Sequence, residues 1–109
     1  MAVVVQDEIV QLLGLPEAGA GAPSLDRIED TLTAGYAQAL ALEAERWRIE
    51  RRLGEVARGV DGGRNGDLAA ELRGLAARLT SADGELIRLR TLLGSLRDRA
   101  RTLRSAVPR

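Results

Sequence analysis

The sequence has no cysteine, no histidine, no lysine and no phenylalanine. Without cysteine neither a disulfide nor a thiolate metal site can form, and the redox compartment leaves no trace in the composition. Without histidine there is no nucleophile–imidazole pair, no HExxH motif, and no side chain that ordinarily titrates near neutral pH. Aromatic residues are almost missing too: Tyr36 and Trp47 are the whole set. A core must therefore come from Leu, Ile, Val and Ala, which suits helix packing better than a β-sandwich. No segment approaches the ~20 apolar residues that a membrane span needs. The opening stretch MAVVVQDEIVQLLGL carries Asp7 and Glu8 and no basic residue, unlike a secretory signal. A cytoplasmic protein with no membrane partner is expected.

What is present points to a single folded unit. The chain has 109 residues, 45% of them hydrophobic, enough for one domain and too many for disorder by composition. All sixteen basic residues are Arg, balanced by sixteen acids. With abundant Ala and Gly, this is the composition of a GC-rich bacterial gene. The charges are unevenly spread: residues 1–45 carry one Arg against eight acids, net −7, and residues 86–109 carry seven Arg against Asp98, net +6.

Residues 1–23 form an apolar arm followed by the linker GLPEAGAGAP, whose Gly and Pro interrupt any helix. Residues 24–109 carry helical periodicity, expected as a helix over 24–59, a loop over 60–66 and a helix over 67–106. Ser24 is the expected N-cap of the first long helix, with Asp26, Glu29 and Asp30 at the positive end of its dipole. The apolar seam of that helix steps by three and four through Leu25, Ile28, Leu32, Ala39, Leu42, Ile49, Leu53, Val56 and Val60, with Gly35 and Arg46 as gaps. The second seam runs from Leu68 through Leu72, Leu75, Leu79, Ala82, Leu86, Leu89, Leu93, Leu96, Ala100 and Leu103 to Val107, with Asp67 as N-cap and Pro108 as stop. TSADGE at 80–85 is a possible internal break.

Folded about Arg64, the two seams match antiparallel. Gly35 meets Leu93, Ala39 meets Leu89, Arg46 meets Ala82 and Ile49 meets Leu79, so that several large residues face small ones. The flanking charges agree with this orientation, since Glu29, Glu43 and Glu50 on one helix lie opposite Arg90, Arg97 and Arg104 on the other. The expected fold is all-α: a long, coiled-coil-like antiparallel helical hairpin with a short N-terminal helix or arm, assembling into a helical bundle. Arg46 in the seam has two readings. It selects register or oligomer state, or its stem covers Ala82 while its head reaches water.

The first long helix also carries a second apolar stripe: Tyr36, Leu40, Ala44 and Trp47, spaced on one helical face. Ile87 and Leu92 are likewise apolar and off the strict seam of the second helix. These six residues are the candidate partner-binding set. Two occupants are open. One is the arm, whose Val5, Ile9, Leu12 and Leu13 line one side of a short helix that the linker is long enough to fold back. The other is a second copy of the chain, a dimer being the favoured homo-oligomer.

No catalytic, cofactor-binding or metal-binding residues are nominated, and no cofactor is expected. GVDGGRNGD lacks the GxxxxGK[ST] pattern and follows no strand. Glu43, Glu45 and Glu50 are interspersed with Arg46, Arg48, Arg51 and Arg52, the pattern of a solvated, salt-bridged face. The expected role is therefore non-enzymatic: an adaptor or scaffold that binds an amphipathic helix of a protein partner or of itself, with an orphan structural subunit of a larger assembly as a separate, third reading. The alternative is a nucleic-acid-associated accessory protein using Arg90, Arg97, Arg101 and Arg104 on the C-terminal helix. Against it stand the zero net charge, the acidic partner helix and the lack of a stacking aromatic nearby.

The secreted WXG-type hairpins are set aside, because Trp47 is followed by Arg48 and Ile49 and the C-terminus has no Tyr-x-x-x-Asp/Glu. In layout alone the chain resembles the flagellar and type III export chaperones, small helical bundles that hold an amphipathic helix. That resemblance implies a protein client.

Overall fold

The computed structural model describes residues 2–59 and 65–106. Three helices occur in the order α1 (Ala2–Leu13), α2 (Leu25–Gly59) and α3 (Asn65–Ala106), and no strand occurs among the described residues. The architecture is the expected all-α helical hairpin with a short N-terminal helix. The expected bend at Arg64, the seam ends Val60 and Val107, and the stop at Pro108 lie outside the described residues. No helix is long and apolar enough to cross a membrane.

Helix ends follow local chemistry. Ser24 caps α2: its Oγ accepts from the Arg27 amide at 3.1 Å and its carbonyl accepts from the Ile28 amide at 3.2 Å. The Ser24 side chain thus satisfies one of the amides left open at a helix start, and its carbonyl accepts the first regular helical bond. The second helix begins at Asn65, two residues before the expected Asp67. Asp67 lies instead in the first turn, where its charge still favours the dipole's positive end. α3 passes through TSADGE without a break, because the seam phase of Leu79, Ala82 and Leu86 is kept across it. In the linker, Gly19 (φ 79°) and Gly21 (φ 90°) take left-handed conformations, which let the chain turn back after α1.

The contacts divide the molecule into two units. One takes the chain up to Leu40 and from Ile87 onward, and the other spans Ala41–Leu86. The first unit is a three-helix cluster: α1, the first half of α2 and the second half of α3. Its core holds Ile9, Leu12, Ile28, Leu89, Leu96 and Ala100, all fully buried, with Leu32, Ala39 and Leu93 beside them. The expected meeting of Gly35 with Leu93 is present. A Cβ at position 35 would lie 2.4 Å from Leu93 Cδ2 and 3.7 Å from Ile9 Cδ1. The gap in the seam is thus the place where α1 and α3 both approach α2.

The second unit is a two-helix seam. Ile49, Val56 and Leu75 are buried at its centre, and Leu53, Leu68, Leu72 and Leu79 pack against them but stay partly exposed. Two helices can enclose only a thin seam, whereas a third helix closes the core of the first unit. Cross-helix ion pairs flank the seam: Arg46 with Asp83 at 2.8 Å, Arg52 with Glu71 at 2.8 Å and Arg78 with Glu45 at 3.9 Å. The hydrogen bond that Arg52 Nε donates to the Glu71 carboxylate, with that carboxylate's charge, raises the pKa of Arg52 above its ordinary value. All six side chains are more than a third exposed, so water and salt screen each pair and its contribution to stability is small.

Candidate partner-binding surface

The arm resolves one of the two candidates for covering the stripe. α1 is seated on the hairpin, but on the other flank of α2. Its apolar side is as expected, with Ile9 and Leu12 fully buried and Val5 and Leu13 half-buried. Its polar anchors were not legible in the periodicity. Gln6 is buried and its Oε1 accepts from Arg88 Nε at 2.8 Å. Thr31 is buried and its hydroxyl reaches Glu8 at 3.3 Å as well as the Arg27 carbonyl at 2.9 Å. Arg99 donates from Nη2 to the Leu13 carbonyl at 2.9 Å and from Nη1 to the Leu15 carbonyl at 3.0 Å. The last carbonyls of a helix lack intrahelical partners and carry partial negative charge. A guanidinium from α3 therefore closes the end of α1, with its side chain only 13% exposed.

At 3.6 residues per turn, Arg27 and Thr31 lie to one side of the α2 seam, and Tyr36, Leu40, Ala44 and Trp47 lie to the other. The stripe is consequently left open: Tyr36 is 41% exposed, Leu40 67% and Trp47 59%, and Ala44 is exposed as well. Tyr36 is held from one side by a long contact from Arg97 Nη1 to its hydroxyl, 3.5 Å. Trp47 is covered on one face by the guanidinium of Arg51, 5.2 Å from the ring centroid, a cation–π contact one helical turn along.

The two candidates on α3 separate. Ile87 is 65% exposed. Leu92 is half-buried, on the same α3 face as Arg88 and Arg99, the two arginines that hold α1. Leu92 thus belongs with the arm's side of the hairpin, because its position falls between those anchors on the helical turn. Sequence spacing alone had grouped it with Ile87.

The arginines of the nucleic-acid alternative are each engaged inside the chain. Arg104 pairs with Glu29, Arg101 with Asp98 at 3.3 Å and Arg97 with Tyr36, and Arg90 also has a partner. The acid-rich stretch of α2 behaves likewise. Glu45 pairs with Arg78 and Glu50 with Arg46 at 3.7 Å, and Glu43 is not free. Among the described residues no cluster of three or more acidic side chains could hold a metal ion.

Arg46 keeps its place in the seam opposite the buried Ala82, and its side chain is 40% exposed. Its buried Nε stands at ion-pair distance from Asp83 but is not aimed along a hydrogen-bond line. The attraction there is Coulombic, with the head of the side chain leaving the seam as a stem-and-head placement requires. No protein-family model, curated protein or solved structure matches the chain.

Proposed function

We propose that the protein is a non-enzymatic protein–protein interaction module, of adaptor, scaffold or export-chaperone-like type, that takes an amphipathic helix on the exposed stripe of α2. The observation that carries this reading is the seating of α1. The chain's own spare amphipathic helix is already docked on the opposite flank, and Leu40 and Trp47 are still 67% and 59% exposed. Scattered exposed hydrophobics need no explanation. A Tyr, a Leu and a Trp on one helical face, in a chain with no other aromatic residue, are the usual anchors of a helix-in-groove contact.

The test is a photo-reactive amino acid placed at Leu40, with the same group at the exposed Thr102 as control, irradiated in cells. A protein adduct at position 40 that is missing at 102 is the expected result. No protein adduct at position 40, or equal adducts at both positions, refutes the reading. So does binding of an oligonucleotide that weakens steeply with salt and is lost on removing Arg97 and Arg101.

A further inference from the structure

We infer that the occupant of this face is α2 of a second copy of the chain, lying antiparallel across a two-fold axis beside Leu42. The inference rests on the proposed docking of a helix on the stripe and names its partner. The outward face of α2 carries a second heptad ladder, spaced four and three throughout: Asp26, Asp30, Thr33, Ala37, Leu40, Ala44, Trp47, Arg51, Gly54 and Arg58. Nine of these ten residues are exposed, and Gly54 is half-exposed.

The ladder is complementary to its own reverse. Turned end for end about Leu42, Leu40 meets Ala44 of the other copy and Trp47 meets Ala37, a large side chain against a small one in both cases. Thr33 meets Arg51. Asp26 meets Arg58, and Asp30 meets Gly54 with an arginine one step away on either side. In a parallel pair Asp26 would face its own copy and Arg58 would face its own copy, so the charges select the antiparallel arrangement. A contact of this kind is isologous and closes at two chains.

The internal ion pairs point the same way. Arg46, Arg52, Arg78 and Arg104 are all used within the hairpin. Among the described residues Asp26, Asp30 and Arg58 have no ion-pair partner, and Arg51 is placed over Trp47. Arg27, Arg48, Arg73 and Glu85 are likewise without an ion-pair partner among the described residues, and of these open charges the pairing would join Asp26 to Arg58. The guanidinium of Arg58 also lies over Gly54, with Nη1 3.4 Å from where a Cβ would stand, on the side that the acidic end of the other copy would approach.

Sedimentation equilibrium of the full chain tests this, with helicity followed by circular dichroism to show that each variant is folded. The expected result is a monomer–dimer equilibrium that Leu40→Glu abolishes. Asp26→Arg and Arg58→Asp each break two symmetry-related pairs at once and should each weaken the dimer about tenfold. The doubly reversed variant should return to within about twofold of the parent. A chain that stays monomeric up to ~1 mM overturns the inference, and so does a dimer indifferent to Leu40→Glu or a double variant no better than the singles. If any of these accompanies a photo-adduct at position 40 with a different protein, the interaction-module reading stands and only the identity of the partner falls.

Discussion

Glycines inside helices ordinarily weaken them, and this protein has several whose replacement should have opposite effects. Gly74 and Gly84 in α3 have nothing within 4 Å of a built Cβ. Alanine there adds only helix propensity, worth ~1 kcal/mol in stability. At Gly35 the same ~1 kcal/mol gain meets a Cβ placed 2.4 Å from Leu93 Cδ2 and 3.4 Å from Leu93 Cγ. Leu93 is 3% exposed, so its methyl has no solvent-filled space to move into. The helices must separate or the side chain must leave its rotamer, at a cost of ~1–3 kcal/mol. Gly35→Ala should therefore be neutral to ~2 kcal/mol destabilising, while Gly84→Ala stabilises. For a chain of this size ~1 kcal/mol moves Tm by about 4 °C, so the two variants should melt on opposite sides of the parent or, at the least, clearly apart. Calorimetry checks that each transition is two-state before the values are compared. Leu93→Ala should cost less on the Gly35→Ala background than in the parent, because the clash it relieves offsets part of the lost packing, a coupling that a double-mutant cycle reads directly. If Gly35→Ala raises Tm as much as Gly84→Ala does, the close approach of α3 and α1 at this point is wrong.

Arg99→Met keeps the aliphatic stem and removes both hydrogen bonds to the end of α1. Losing charge-assisted bonds at a site 13% exposed should cost ~1.5–3 kcal/mol, and hydrogen exchange of the α1 amides should speed up at least tenfold, while that of residues 45–57 is unchanged. Equal exchange in the two proteins would mean that the arm is held by its apolar face alone. Arg46→Met keeps the stem and removes the ion pairs to Asp83 and Glu50, all three side chains being 40% or more exposed, so stability should change by less than ~1 kcal/mol and the association state should be that of the parent. A change in oligomer number on sedimentation would show that Arg46 selects the assembly and is not simply a stem with its head in water.

Much of this structure is written in spacing. The three-and-four steps of Leu, Ile, Val and Ala give α2 and α3 their buried seam, and Ser24 marks where α2 starts. The match of Gly35 with Leu93 set the register, and the acidic start of one helix against the basic end of the other set the direction. These features are local or periodic, and a helix of fixed pitch turns them into geometry without reference to the rest of the fold. The seat of α1 is of another kind. Its polar anchors join Gln6 to Arg88 and the Leu13 and Leu15 carbonyls to Arg99, more than eighty residues apart in the chain. Polar and backbone groups leave no mark on hydrophobic periodicity, and any of the exposed-looking arginines could have served. Only packing in three dimensions decided that the arm lies beside Thr31, Arg88 and Arg99, and that Tyr36, Leu40 and Trp47 stay exposed.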